Sequence, residues 1–348
     1  MSTYLPILEA FVKLGNFITD FCENSYSKDS KGDVGFQEAV EKAEQQNAWF
    51  TQENILFALK QWSSLLTMEN LVQWLSNYNL STENAPKTVG VVMAGNIPMV
   101  GFHDFLCVLL SGNKVLAKLS SNDKVLLPFL TQYLVQQEPL LKDRIMFTEG
   151  KFEVFDAVIA TGSNNTGRYF EYYFGKKPNI IRKNRNSVAL LTGHESKEQL
   201  TALGEDIFRY FGLGCRNVSK IFVPSNYDFD PLFNALYAFK DTIYHHKYAN
   251  NYDYNKAVYL MSDFKILDNG FLILKEDESF SSPIATLFYS PYDSERDLRQ
   301  QLYEQRELIQ CIVSHGKTKN DIPFGQTQKP VLYDYADGID TMDFLLKI

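Results

Sequence analysis

The chain has 348 residues, 45% hydrophobic and 22% charged, which gives ample material for a core and excludes disorder over most of its length. Its net charge of −8 argues against a nucleic-acid partner, since neutralising phosphate needs clustered positive charge. No uncharged run reaches the roughly 18 residues of a membrane span, the N-terminus lacks the basic region of a secretory leader, and the four scattered cysteines have neither disulfide nor metal-ligand spacing. A cytoplasmic two-domain protein with reduced thiols and no metal is expected.

Residues 1–85 read as helical. Thr51 is placed to cap a helix whose apolar Ile55, Leu59, Trp62 and Leu66 recur at three- and four-residue spacing. The stretch from Ser81 to Pro86 reads as a linker, because proline discourages helix at the residue before it. Beyond it, short apolar runs at 88–93, 115–119, 156–161 and 187–191 predict strands, separated by helices at 99–110, 124–137 and 166–173. Strands and helices alternating at this spacing imply right-handed βαβ units and a parallel sheet. A second alternation follows, with a helix at 196–211 and strands at 220–223, 257–261, 271–274 and 310–314. The fold class is α/β in two lobes.

Cys215 stands out by its surroundings, Phe211-Gly212-Leu213-Gly214-Cys215-Arg216-Asn217, between a predicted helix and a predicted strand. Glycines before a thiol allow close approach of a substrate to the backbone, and Arg216 is placed to favour a thiolate. The ordinary alternative, a small buried hydrophobe, fits Cys107 and Cys311 better, since both lie in apolar runs. Gly95-Asn96-Ile97-Pro98 ends the first strand of the α/β unit, at the edge where doubly wound sheets bind ligands. Asn96 there is either an oxyanion donor or a helix cap. Lys118, Ser120 and Ser121 close the second strand, either as an ordinary solvated strand end or as a set that suits a ribose and its phosphate. Thr161-Gly162-Ser163 through Gly167 opens a helix, whose unpaired amides and dipole favour an anion. Finally, Lys176, Lys177, Arg182, Lys183 and Arg185 make a basic stretch in an acidic chain, either a solvated loop or an electrostatic funnel for phosphorylated ligands.

Taken in order, GNIPMVGFHDFLCVLLSGNKVLAKLSSND, ATGSNNTGR, FRYFGLGCRNVSKIFVP and IPFGQTQ resemble the LuxC-type acyl-CoA reductases, a branch of the aldehyde dehydrogenase superfamily. The resemblance spans roughly residues 88–330 and implies an aldehyde dehydrogenase-like fold, with a Rossmann-like nicotinamide cofactor-binding domain at 86–191, an α/β catalytic domain carrying the nucleophile at 192–325, and a C-terminal segment at 326–348 returning to the cofactor domain. It makes Cys215 the nucleophile and Asn96 the side-chain half of an oxyanion hole beside the Cys215 amide. Lys118 becomes the ribose lysine, and Thr161, Gly162, Ser163 and Gly167 approach the cofactor pyrophosphate. Phe324 falls in the segment near the nicotinamide ribose. Ser121 stands where NAD-preferring relatives carry a glutamate, which implies that NADPH is accepted and preferred. The window 181–185 lacks the carboxylate that activates water in hydrolytic relatives, as befits a thioester reductase.

The implied reaction is reduction of an acyl-CoA or acyl-protein thioester to an aldehyde through an acyl-cysteine. An acyl-transferring partner protein and a homodimer are compatible with it; nucleic acid and a membrane span are not expected. The alternatives are an acyl phosphate reductase or oxidative aldehyde dehydrogenase on the same fold, or a non-catalytic acyl- or nucleotide-binding protein.

Overall fold

The computed structural model describes residues 4–24, 33–80, 85–315, 318 and 321–348, so most of the predicted linker, 81–84, lies outside the described residues. The chain divides into two compact units, one of residues 1–183 with 331–348 and one of residues 184–330.

The first unit opens with α1 (Tyr4–Asn24), α2 (Val34–Gln46), α3 (Gln52–Leu65) and α4 (Met68–Leu75). Asp33, Thr51 and Thr67 start the last three, each side chain accepting the amide three residues on, which satisfies a donor the helix itself leaves unpaired. A parallel sheet follows: β1 (Thr88–Val92), α5 (Phe102–Leu110), β2 (Lys114–Lys118), α6 (Leu126–Gln137), β3 (Ile145–Phe147), β4 (Ala157–Thr161), α7 (Asn164–Phe174) and β5 (Asn179–Arg182). The strand order is β3-β2-β1-β4-β5, with central β1 buried between β2 and β4. The helical region 1–85 shares its core with this sheet: Phe11 of α1 and Trp62 of α3 both meet the Phe102 ring of α5 edge-on, at 6.3 and 4.7 Å between centroids.

The second unit runs β6 (Asn186–Leu190), α8 (Lys197–Phe208), β7 (Val218–Pro224), α9 (Asp230–Leu236), α10 (His246–Met261), β8 (Ile266–Asp268), β9 (Ile273–Glu276), β10 (Thr286–Tyr292), α11 (Glu295–Glu304) and β11 (Ile309–Val313). Its sheet has the order β11-β6-β7-β10-β9-β8, parallel except for the antiparallel edge strand β8. Two expectations are corrected here. The strand expected at 187–191 at the end of the first lobe is β6, which pairs with β7 and β11 of the second sheet. The run at 257–261 is the end of α10, not a strand. Tyr248, Tyr252, Asn255 and Tyr259 recur at helical spacing, and the first three are buried, so the helix period overrides the local strand preference of Val258 and Tyr259.

Residues 331–348 belong to the first unit. They end in α12 (Thr341–Leu346), and the Tyr335 hydroxyl accepts from the Trp74 indole at 2.8 Å.

Candidate active site

Three predicted clusters lie along one edge of the first sheet, at the carboxyl ends of the adjacent strands β2, β1 and β4. After β1, Gly95 packs so closely on Ser120 that a Cβ there would stand 2.5 Å from the Ser120 Cβ. Asn96 follows as an exposed residue in a bend, and it does not cap α5: that helix starts at Gly101 without a side-chain cap. Met99 takes a left-handed φ of 60° in this turn, a strained conformation for a side-chain-bearing residue. Two residues without a motif hold the turn. Asn47 donates to the Gly95 and Asn122 carbonyls at 3.5 and 3.3 Å. Burial pushes the Asp123 carboxyl up to about 6, and a hydrogen bond from the Met99 amide opposes that rise.

At the end of β2 the Lys118 ammonium donates to the Gly150 carbonyl at 3.0 Å, Ser120 Oγ accepts the Asn122 amide at 3.2 Å, and Ser121 is exposed. Past Thr161, Ser163 caps α7 by accepting the Thr166 amide at 3.2 Å. Gly162 and Gly167 are packing glycines: a Cβ would meet the Phe170 ring at 2.9 Å and the Lys183 side chain at 3.2 Å. An ammonium, two hydroxyls and a helix N-terminus on one sheet edge form a donor set that fits the ribose and phosphates of a nucleotide.

In the second unit, Cys215 is exposed in a turn closed by the Asn217 amide on the Gly214 carbonyl at 3.3 Å. The approach to it is left-handed at Tyr210, Phe211 and Gly212, and again at Gly214 with φ 98°. Glycine takes this conformation freely, which is the physical content of the two flanking glycines. The turn is held from β6, where Ser187 Oγ donates to the Cys215 carbonyl at 2.9 Å. Arg216 does not simply sit beside the thiol; its Nε donates to the Thr327 carbonyl. Asp206 on α8, fully buried, accepts the Gly325 amide at 2.6 Å, the Thr327 amide at 3.0 Å and the Thr327 hydroxyl at 2.8 Å. Burial raises the Asp206 carboxyl despite these bonds. Phe324, also buried, lies edge-on to His315 at 5.6 Å between ring centroids.

His315 itself bridges Glu195 and Gln199, at 2.9 and 3.1 Å. Glu195 is held below the usual range although burial opposes this, because it accepts from the Thr192 amide and hydroxyl and from His315. Sequence reading also missed a bulge in β7: Ser187 faces Val218 and Val188 faces Lys220, leaving Ser219 as the extra residue. Ser219 Oγ then donates to the Phe280 carbonyl and Lys220 Nζ to the Asp277 carbonyl, both at 2.6 Å, so adjacent residues strap the same loop. The signals that could have flagged these groups, buried polar residues with distant partners, exist only in three dimensions.

The basic stretch is not an open funnel. Arg182 is buried against Asp104 of α5, Lys183 pairs with Glu171 at 2.8 Å, and Arg185 pairs with Glu307 at 3.5 Å. Lys177 donates to the Phe155 carbonyl and lies over that ring. Of these groups the Arg182–Asp104 pair is buried, while Lys183, Glu171 and Glu307 remain exposed, as does Lys176. Cys22, Cys107 and Cys311 are buried. Among the described residues no helix is long and apolar enough to cross a membrane, and no group of three or more His, Cys, Asp or Glu side chains is placed to hold a metal.

The two α/β units define the fold of the aldehyde dehydrogenases. The aldehyde dehydrogenase KauB from Pseudomonas aeruginosa is similar at a TM-score of 0.65 and 10% identity, over 90% of this chain and 77% of that one. An aldehyde dehydrogenase from Burkholderia cenocepacia reaches 0.66 at 11% identity, covering 93% and 80%. The indole-3-acetaldehyde dehydrogenase AldA of P. syringae, solved with NAD+ and IAA, reaches 0.62 at 11% identity, covering 84% and 69%. No curated protein matches the sequence. The family model for acyl-CoA reductase (LuxC) matches residues 7–272, and the chain belongs to that family. It is thus an oxidoreductase of the acyl or aldehyde group.

Proposed function

We propose that the protein reduces an acyl thioester to an aldehyde through an acyl–Cys215 intermediate, with NADPH as the reductant. The observation that carries this reading is the exposed Cys215 thiol on a turn built from left-handed glycines and held by its own carbonyl. Family membership supports the substrate class, and the complexes of similar folds with NAD+ support a nicotinamide cofactor.

The Cys215 thiolate attacks the thioester carbonyl carbon, the new C–S bond forms, and the old one breaks with departure of the substrate's thiolate. The Cys215 amide and the Asn96 side chain stabilise the oxyanion that develops on the way. When bound, the nicotinamide supplies a hydride to the acyl carbon. The tetrahedral thiohemiacetal oxyanion that this would leave on Cys215 re-forms its C=O bond as the C–S bond breaks, so that aldehyde is released and Cys215 leaves as thiolate. Lys118, Ser120 and Ser121 hold the adenosine ribose. Thr161, Gly162, Ser163 and Gly167 bring the start of α7 to the pyrophosphate, and Phe324 flanks the nicotinamide ribose. Cys215 needs no water-activating base in this sequence, in keeping with the absence of a carboxylate at 181–185.

The test is intact-mass spectrometry after mixing the protein with acyl-CoAs of graded length, followed by NADPH. An acyl adduct mapped to Cys215 and discharged as aldehyde is expected, with no adduct in Cys215→Ala. An adduct or turnover retained in Cys215→Ala overturns the assignment of the nucleophile. For the cofactor, Ser121→Glu is expected to move preference from NADPH towards NADH by about tenfold or more, by placing a carboxylate against the 2′-phosphate. Wild-type protein binding NADH the more tightly removes this part of the reading. An acyl-protein thioester in place of acyl-CoA, delivered by a partner protein, is the same chemistry with a different leaving group. It is separated by which donor forms the adduct.

A further inference from the structure

Asp206 is a fully buried carboxylate nine residues before Cys215. The family resemblance gives it no role. Three donors reach it from one remote segment, the Gly325 and Thr327 amides and the Thr327 hydroxyl. Gly325 lies flat on α8 with a left-handed φ of 77°, where a Cβ would stand 3.1 Å from the Ala202 Cβ. The Thr327 side chain is fully buried. The same Thr327 points its carbonyl the other way, where it accepts from Arg216 Nε. Arg216 follows Cys215 in the turn whose carbonyl is fixed by Ser187. A continuous set of hydrogen bonds therefore runs from α8, through residues 325–327, to the residue beside the nucleophile.

We infer that Asp206 is a positioning residue for the Cys215 turn: it clamps Gly325 and Thr327 so that the Thr327 carbonyl holds Arg216, and with it the peptide that carries the nucleophile. This deepens the reading of Cys215 as nucleophile and rests on it. A buried carboxylate suits the task because it accepts several donors at once, and hydrogen bonds to an ionised acceptor are roughly twice as strong as neutral ones. Arg216 in turn is oriented by a backbone carbonyl, which fixes direction. A tenth of a nanometre matters at such a site: misplacement by about 1 Å costs on the order of 100-fold in rate.

Two variants test the clamp. Asp206→Asn keeps the shape but gives up one acceptor oxygen, and Thr327→Val removes only the hydroxyl bond. The first measurement needs no substrate: hydrogen exchange of the full-length protein, read on peptides covering 212–218 and 323–328. The clamp predicts that both segments exchange faster together, by about tenfold in Asp206→Asn and less in Thr327→Val. Loosening confined to 323–328 would overturn it, because the link to the nucleophile would then be absent.

The second measurement compares two reactions of Cys215. Alkylation by iodoacetamide requires only the thiolate, whereas acylation by an acyl-CoA also requires an oriented turn. The variants are expected to keep alkylation within about twofold while acylation falls roughly 10- to 100-fold. Equal losses in both would reduce Asp206 to a purely structural role and overturn the inference. If wild-type protein is never acylated, the functional reading fails while the exchange experiment still decides the clamp. Should Asp206→Asn not fold, Thr327→Val alone carries both measurements.

Discussion

In the first unit, Asp104 on the helix after the Asn96 turn meets the Arg182 guanidinium of β5, both residues buried and Arg182 held further by the Thr341 hydroxyl. In the second unit, Asp206 and Lys220 are buried at least as deeply, but their hydrogen bonds go to backbone groups and one hydroxyl. The first arrangement cancels charge with charge and ties together three elements far apart in sequence. The second sets a single charge against oriented dipoles and straps loops to a helix and a strand. The difference teaches two ways of making a buried charge rigid: pairing it across elements in one unit, and seating it among loop dipoles in the other.

The largest expected effect comes from splitting the ion pair. Asp104→Ala strands a buried guanidinium and should destabilise the first unit by about 3–5 kcal/mol in denaturant unfolding. Asp104→Leu combined with Arg182→Met should recover much of that loss, since two apolar groups leave no charge behind. A double variant as unstable as the single one would break the contrast. Next is Lys220→Met, which removes the ammonium and its bond to the Asp277 carbonyl together. Its expected cost is about 1–2 kcal/mol. A loss equal to that of Asp104→Ala would show that the dipole-held lysine behaves like a paired ion.

The smallest effect sharpens the comparison within the first unit. Asp123 Oδ1 is buried without a hydrogen-bond partner, so here neither charge nor dipole compensates fully. Burial raises this carboxyl to about 6. A folded-state pKa above the unfolded value means that its contribution favours folding at low pH and is lost as pH rises through 6. Asp123→Asn should therefore raise the melting temperature at pH 8, by about 2–4 °C, and raise it by roughly half as much at pH 5, between the unfolded and folded values. An equal shift at both pH values would exclude titration of Asp123 as the cause.

Much of the first unit was legible because parallel strands and their helices alternate with clear hydrophobic periods; β1, β2, β4, α5 and α6 fall within a few residues of expectation. β5 was hidden because Asn179–Arg182 sits in a stretch that reads as a basic loop, and Arg182 is buried only by virtue of Asp104, 78 residues away. In the second unit β10 and the edge strand β8 went unread, and α10 was half mistaken for strand. Cys215 was visible because its flanking glycines state a local backbone requirement. Asp206 and Asn47 were not, since their partners lie 119 and 48 residues distant and leave no mark on the neighbouring sequence. What is local in cause is readable; what is satisfied across the fold is not.

The return of residues 331–348 to the first unit has a consequence for synthesis. Tyr335, Thr341 and Leu345 supply partners for Trp74, Arg182 and Asn113, so the first unit is incomplete until residues 335–345 leave the ribosome. The second unit is a continuous segment and is available to fold earlier. At translation rates of about 5–20 residues per second, its length imposes a delay on the order of 10 s between the two parts of the first unit. During that interval the Arg182 guanidinium lacks its threonine and the indole of Trp74 its tyrosine. The nascent chain therefore emerges with its first unit waiting on residues 331–348.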